Sequence, residues 1–270
     1  MDVTSGTAAV NGTQLYYEIA GEGHPLVLIH GFALDCRMWD AQFAFFSRSY
    51  RVIRYDLREF GRSQARSPQR FSQAEDLRAL LEHLEAPKAH ILGLSMGGRV
   101  ALAYALVYPE CTRSLILADA ALEGFRFSDA FAASFAAISE RGRVAGARAA
   151  NELWFQHDLF APARERENVA QALSDMIADY SGSFWIEENR ERFLRPRAIE
   201  RLTEVRAPTL VVVGQRDIDD FQRIATQLAR DIPRARLARI PRAGHMCNME
   251  RPAEFNTIVL DFLRSRFLTA

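Results

Sequence analysis

The chain has few cysteines and few histidines, and this shortage argues against several kinds of site. Its three cysteines are Cys36, Cys111 and Cys247, and no two of them form a C-x-x-C pair. An odd count without paired spacing argues against a disulfide framework and against a structural zinc site. No H-E-x-x-H motif is present either. We therefore expect neither a metal nor any other cofactor.

Net charge is also missing, since 34 acidic residues balance 34 basic ones. The basic residues are 33 arginines and Lys88, and the arginines are scattered rather than clustered. Such a chain has no long-range field to attract nucleic acid or an anionic membrane. We expect it to bind neither, and these numbers leave its oligomeric state open.

Long apolar segments are the third absence. No run of apolar residues reaches the length of a membrane span, and the first residues do not form a secretion signal. A cytoplasmic location is therefore expected. Apolar residues make up 49% of the 270 residues and charged residues 25%, which is typical of a globular protein with a sizeable core.

What the chain does contain is an alternation of short apolar runs with helical patterns. Asn11-Gly12 lies between two strand-like runs and predicts a hairpin. Ser72 with Glu75 forms a capping box that predicts a helix start. The pattern predicts an α/β fold with a mostly parallel sheet, helices on both faces and an antiparallel start. The predicted strands cover residues 8–10, 14–17, 25–30, 51–55, 89–92, 114–118, 209–213 and 236–240, and a C-terminal helix carries an apolar stripe from Phe255 to Phe267.

Residues 122–205 break this alternation. They have helical composition and no strand pattern, and they hold 11 of the 28 aromatic residues. We predict a helical insertion here, with residues 1–121 and 206–270 forming the α/β core.

Gly93-Leu94-Ser95-Met96-Gly97 is the most informative motif in the chain. This Gly-x-Ser-x-Gly pentapeptide stands where a strand pattern ends and a helix pattern begins. A serine on such a tight turn has a strained backbone that exposes its hydroxyl, and the small glycines make the turn possible. The following helix directs its N-terminal N–H groups toward the serine, where negative charge is stabilised. Ser95 is therefore the candidate nucleophile.

A serine hydroxyl needs an imidazole base, and the imidazole needs an acid that fixes its tautomer. Sites in parallel sheets gather at the carboxyl ends of the strands. Asp217 and His245 each follow a predicted strand downstream of Ser95. The order Ser, Asp, His is the one expected after a nucleophile elbow.

Other residues compete for these roles. Asp119 also ends a strand, so it is either the acid or a cap at the start of the insertion. Asp219 and Asp220 could cap the helix that follows them. Four further histidines fit structural or solvated positions better than a catalytic one: His24, His83, His90 and His157.

The tetrahedral intermediate of acyl transfer needs two N–H donors. The first candidate is the backbone N–H of Met96, directly after the nucleophile. The second is the backbone N–H of Phe32, because His30-Gly31-Phe32 follows the predicted strand 25–30.

Five sequence elements, from His30-Gly31-Phe32 to Gly244-His245, follow one another along the chain. In this order they resemble the α/β-hydrolase superfamily, in its capped esterase, enol-lactonase and cofactor-free haloperoxidase type. The resemblance covers nearly the whole chain and implies Ser95 as nucleophile, His245 as base and Asp217 as acid. It also implies an oxyanion hole from Phe32 and Met96. The matching elements are His30-Gly31-Phe32, Asp56 to Ser63, Gly93 to Gly98, Gly214 to Asp217, and Gly244-His245 with Glu250, Pro252 and Phe255.

The resemblance has one departure and leaves one set of roles open. Where the family usually has Arg-Gly-x-Gly, this chain has Arg58-Glu59-Phe60-Gly61, and a left-handed backbone there would strain Glu59. The resemblance further implies that the 122–205 insertion is a cap whose aromatic residues line a pocket. Trp154 and Trp185 are candidates for substrate contact, and packing inside the cap is the alternative for both.

The function expected from this resemblance is hydrolysis of a small, largely apolar carboxylic ester through an acyl-enzyme. Residues 33–40 resemble the same loop in enol-lactonases, so a lactone is the second candidate substrate. A carbon–carbon bond hydrolase would use the same three residues. A ligand-binding receptor on this fold is the non-enzymatic alternative, because a fold does not fix a function.

Overall fold

The computed structural model describes residues 2–63 and 69–265. Phe267 of the predicted apolar stripe lies outside the described residues. The described part contains one eight-stranded sheet. Its strands are β1 (Val3–Val10), β2 (Thr13–Ala20), β3 (Pro25–Ile29), β4 (Arg51–Tyr55), β5 (Ala89–Leu94), β6 (Thr112–Ala118), β7 (Thr209–Gly214) and β8 (Ala235–Ile240).

The sheet has the order β1-β2-β4-β3-β5-β6-β7-β8. The β1–β2 hairpin and the β2–β4 pair are antiparallel, and all other neighbours are parallel. The predicted α/β architecture with an antiparallel start is therefore confirmed. The hairpin strands are longer than the apolar pattern suggested, because eight residue pairs join β1 to β2 along an edge where polar side chains reach solvent.

Helices fill the connections between the strands. They are α1 (Asp40–Phe46), α2 (Gln73–His83), α3 (Met96–Val107), α4 (Asp129–Ala145), α5 (Ala147–Phe155), α6 (Ala161–Arg164), α7 (Glu167–Asp179), α8 (Ser183–Ile186), α9 (Asp219–Asp231), α10 (Cys247–Glu250) and α11 (Pro252–Arg264). Ser72 caps α2 through the N–H of Glu75, as the capping box predicted. Within the described residues, no helix combines the length and apolar character needed to cross a membrane.

Two capping predictions are wrong. Ile218 is the N-cap of α9, so Asp219 and Asp220 lie in its first turn instead. Asp220 is used elsewhere, because its carboxylate accepts hydrogen bonds from the N–H and hydroxyl of Ser128. Ser128 in turn caps α4, a role proposed for Asp119 in the sequence.

Helices α4 to α8 all fall between β6 and β7, which is the inserted helical cap expected for this fold class. The end of this segment returns to the core at Phe71, whose N–H and carbonyl pair with the backbones of Arg190 and Arg192. Arg99 of α3 and Glu191 form a two-bonded ion pair beside this contact. These bonds hold the insertion over the carboxyl ends of the strands.

Candidate active site

Ser95 occupies the sharp turn between β5 and α3. Its backbone has φ 56° and ψ −119°, a conformation that residues other than glycine rarely adopt. Hydrogen bonds over-determine the turn, since Ser95 donates its N–H to the Ala118 carbonyl while its own carbonyl accepts from Arg99 and Ala121. This strained geometry is the one expected of a nucleophile elbow.

The two glycines of the motif are required by close backbone contacts. A Cβ on Gly93 would lie 2.1 Å from the carbonyl oxygen of Gly97. A Cβ on Gly97 would lie 2.1 Å from the carbonyl oxygen of Ile29 in the neighbouring strand. Any side chain would therefore push α3 away from the sheet, and Ser95 with it.

Asp217 and His245 meet in the interior, although 28 positions separate them. His245 Nδ1 lies 2.8 Å from Asp217 Oδ2, and both side chains are buried. In the neutral imidazole this contact places the proton on Nδ1 and leaves a lone pair on Nε2. The arrangement fits a histidine held ready to accept a proton at Nε2.

His245 Nε2 is buried and has no hydrogen-bond partner among the described residues. His245 and Ser95 line one narrow cleft together with Gly31, Phe32 and Met246. An unpaired buried acceptor is costly unless a ligand or a reacting group uses it. The cleft thus joins a free imidazole nitrogen and a strained serine.

Glu250 holds the loop that carries His245. Its carboxylate oxygens accept the N–H groups of Gly244 and Met246, at 2.8 and 3.1 Å, so they bracket the histidine on both sides. Gly214 lets the β7 loop approach this segment, since a Cβ there would lie 2.1 Å from the Gly244 carbonyl oxygen. From the sequence, Glu250 was assigned to a matching element but was given no role. Its short spacing from His245 was the signal that could have indicated this contact.

Phe32 and Met96, the two predicted N–H donors, both line a cavity together with Ser95. Within the described residues, neither N–H donates a hydrogen bond to the protein backbone. His30 fixes the loop before Phe32, because its Nδ1 binds the Gly31 carbonyl and its Nε2 accepts the Leu57 N–H. Burial lowers the pKa of His30, which keeps it neutral in this bridging role.

Asp119 lies beside the Asp217–His245 pair, at the end of β6. Its Oδ1 accepts the Gly214 N–H at 2.8 Å, and the residue is fully buried. Burial and the nearby Asp217 charge raise the pKa of Asp119 well above its ordinary value. Both causes favour the neutral acid form of Asp119.

Among residues 2–63 and 69–265, two groups of three side chains lie close enough to share a cation. One group is Asp119, Asp217 and His245, and the other is Asp35, Cys36 and Asp56. In the first, Asp119 Oδ1 accepts the Gly214 N–H, and Asp217 Oδ2 pairs with His245 Nδ1. In the second, Arg37 binds both oxygens of Asp35, and backbone N–H groups bind both oxygens of Asp56. Both groups are therefore built as hydrogen-bond networks.

A cavity of about 580 Å³ extends from Ser95 between the core and the insertion. Trp154 lines this cavity. Trp185 is 1% exposed and donates its indole N–H to Asn151 inside the insertion, and it is not among the cavity-lining residues. The ring of Phe32 contacts five rings of the insertion at centroid distances of 5.0 to 6.0 Å, namely those of Phe135, Trp154, Tyr180, Phe184 and Trp185.

A serine and a histidine of the insertion form a hydrogen bond that provides a comparison. Ser134 Oγ lies 2.9 Å from His157 Nε2. His157 Nδ1 accepts the N–H of Leu159, so the proton of this imidazole is on Nε2 and points at the serine. His157 therefore cannot act as a base toward Ser134. The remaining histidines are His24 and His83 at the surface, and His90, which is buried in β5 against Ser114.

The chain belongs to the alpha/beta hydrolase fold family, whose model matches residues 24–252. An Azorhizobium caulinodans protein named "Putative carbamate hydrolase RutD" is 29% identical, over 92% of this chain and 94% of its own length. A thermophilic esterase from Thermogutta terrifontis is 31% identical, with a TM-score of 0.78 over 98% of both chains. The enol-lactonase from Burkholderia xenovorans LB400 is 28% identical, with a TM-score of 0.81 over 96% of this chain and all of that one. The chain is thus a hydrolase of the alpha/beta fold.

Proposed function

We propose that this hydrolase cleaves small, largely apolar carboxylic esters through an acyl-enzyme, with Ser95 as nucleophile, His245 as base and Asp217 as acid. The observation that carries the proposal is the 2.8 Å contact of His245 Nδ1 with Asp217, which leaves Nε2 unpaired in the cleft it shares with Ser95. In this proposal residues 122–205 are the cap, and residues 1–121 and 206–270 are the core.

The first half-reaction transfers the acyl group to the enzyme. Ser95 Oγ attacks the ester carbonyl carbon while His245 Nε2 takes its proton. The carbonyl electrons move to the oxygen, which the N–H groups of Phe32 and Met96 stabilise. When the intermediate collapses, the leaving alcohol takes the proton from His245. Asp217 stabilises the imidazolium throughout.

The second half-reaction regenerates the enzyme. His245 Nε2 takes a proton from water, and the resulting hydroxide attacks the acyl carbon. Ser95 leaves as the free hydroxyl once it receives that proton back. The neutral state of Asp119 supports Asp217 as the acid, because a protonated carboxyl group cannot stabilise an imidazolium by charge.

Similarity to an enol-lactonase favours a second candidate substrate, a lactone, which the same three residues would open. Two alternatives remain, a carbon–carbon bond hydrolase and a ligand-binding receptor. No contact among the described residues specifically favours either of them. A panel of p-nitrophenyl esters, lactones and carbamates of graded size separates the bond classes, since the three share a carbonyl centre and differ in the leaving group.

The test of the proposal is reaction with a serine-directed fluorophosphonate followed by mass spectrometry. We expect the label on Ser95 in the wild type and no label in Ser95→Ala. We also expect Ser95→Ala to lose about 10³-fold or more of p-nitrophenyl acetate turnover. Ser134→Ala is the matched control, because it removes a serine that contacts a different histidine, His157. Full activity in Ser95→Ala, or an unlabelled wild type that is folded, would overturn the proposal.

A further inference from the structure

The cavity beside Ser95 is mostly aromatic, but one part of its wall is polar. Its apolar lining includes the rings of Phe60, Phe127, Phe131, Phe135 and Phe184. A cavity of roughly 150 Å³ is enough for a benzene ring, so about 580 Å³ accommodates an aromatic ring together with an ester group. This wall fits an apolar substrate body.

Two buried oxygens in the polar part of the wall have no partner. They are Glu123 Oε1 and Gln73 Oε1, and neither makes a hydrogen bond within the described residues. Glu123 is 6% exposed and Gln73 is 4% exposed, so water reaches neither residue freely. Both residues line the cavity that contains Ser95. Buried acceptors left unpaired are unfavourable, which makes a ligand donor the natural partner for them.

The cations nearby are already engaged within the protein. Arg58 binds both carboxylate oxygens of Asp76, and Arg99 binds both oxygens of Glu191. Arg197 also lines the cavity but is exposed to solvent, where its charge is screened. A carboxylate ligand would therefore find no free buried guanidinium from Arg58 or Arg99, and it would face the Glu123 carboxyl group.

A hydroxyl group is the ligand feature that matches both oxygens. The oxygen of Gln73 is available as an acceptor, since the amide nitrogen of the same side chain donates to the Arg58 carbonyl. Burial raises the pKa of Glu123, which favours a neutral acid that can both donate and accept. A hydroxyl group also does both, whereas an ether or carbonyl oxygen offers no donor to Gln73 and an ammonium group is penalised by the apolar surroundings.

Building on the proposed esterase function, we infer that the preferred substrate carries a hydroxyl group on an aromatic body, away from the ester. That hydroxyl binds Glu123 Oε1 and Gln73 Oε1 while the ester carbonyl lies at Ser95. The substrate class is therefore a hydroxyaryl ester rather than a simple alkyl ester.

The test compares ester pairs that differ by one hydroxyl group. Ethyl 3-phenylpropanoate is compared with its 3- and 4-hydroxyphenyl analogues, and 2-phenylethyl acetate with its own, because either side of the ester can enter the cavity. For the wild type we expect a kcat/KM ratio of about tenfold or more in favour of a hydroxylated member. Glu123→Leu and Gln73→Leu should each lower this ratio, and the double variant should bring it close to one. Glu123→Gln keeps an acceptor of the same size and should retain most of the preference.

The ratio is measured within one protein, so a variant that is partly misfolded lowers both rates together and leaves the ratio interpretable. A wild-type ratio near one for every pair, with Ser95 labelled and the esters hydrolysed, would overturn the inference and leave the proposed function standing. Calorimetric binding of the same pairs to Ser95→Ala separates the two claims. Tighter binding of a hydroxylated ester supports the inference even if Ser95 proves not to be the nucleophile, and equal binding contradicts it.

Discussion

Asp119 and Asp217 face each other at the ends of the adjacent strands β6 and β7. One carboxylate oxygen of each and a ring nitrogen of His245 all lie within 4.8 Å of one another. Burial and the nearby Asp217 charge raise the pKa of Asp119 and so favour its neutral form. The hydrogen bond to His245 belongs to Asp217.

The first prediction separates the roles of these two acids. Asp119→Asn should keep activity within about tenfold of the wild type, because a neutral amide resembles a protonated carboxyl group. Asp217→Asn should lose about 10⁴-fold in kcat, because an amide cannot stabilise the imidazolium by charge. Steady-state turnover of p-nitrophenyl acetate checks both. An Asp119→Asn variant as inactive as Asp217→Asn would identify Asp119 as the acid instead.

The second prediction concerns stability in acid. His90 is buried beside Ser114, and burial together with the charges of Arg113 and His24 lowers its pKa to about 3. The unfolded chain binds a proton at about pH 6.5, whereas the folded chain does so only near pH 3. The stabilisation from neutral His90 is thus complete above pH 6.5 and is lost as the pH falls toward 3, up to about 2 kcal/mol at pH 5.

Denaturant unfolding at pH 7.5 and pH 5.0 measures this loss. His90→Gln, which has no titrating group at this position, should lose less unfolding free energy between the two pH values than the wild type does. His83→Gln is the control, because His83 is exposed on α2. Equal losses in the wild type and in His90→Gln would contradict the prediction.

The third prediction concerns Glu59, where the family usually has glycine. Its φ is 73°, so the strain expected from the sequence is present in the structure. Glu59→Gly should raise the free energy of unfolding by about 1 kcal/mol, because glycine adopts this backbone without steric cost. Urea unfolding of Glu59→Gly and Glu59→Ala gives the check. Alanine keeps the strain, so a gain of equal size in both variants would point to the side chain rather than the backbone.

The fold and the nucleophile turn could be predicted from the sequence because their signals are local. The Gly93 to Gly97 motif contains both the strained residue and the glycines that allow it. The order of strands and helices required only periodicity, and the chain position of Asp217 and His245 followed from strand ends. The β-hairpin was predicted, but its strands were predicted too short. The outer residues of β1 are mostly exposed and give a weak apolar signal.

The remaining features depend on which elements become neighbours. The raised pKa of Asp119 arises because the pairing of β6 with β7 places it beside Asp217. No local sequence pattern predicts that pairing. Glu123 and Gln73 are 50 positions apart, and their shared cavity exists only after the insertion folds back onto the core. The separate positions of Trp154 and Trp185 likewise depend on helix packing, so whether either contacts substrate stays a prediction.

Phe32 links two properties that are usually considered apart. Its N–H is the proposed oxyanion donor, and its ring is packed among five rings that belong to the insertion. Exchanging one of those rings to admit a different substrate also shifts the donor that stabilises the reacting oxygen. We therefore expect that a change of substrate range made through these rings also changes the turnover rate.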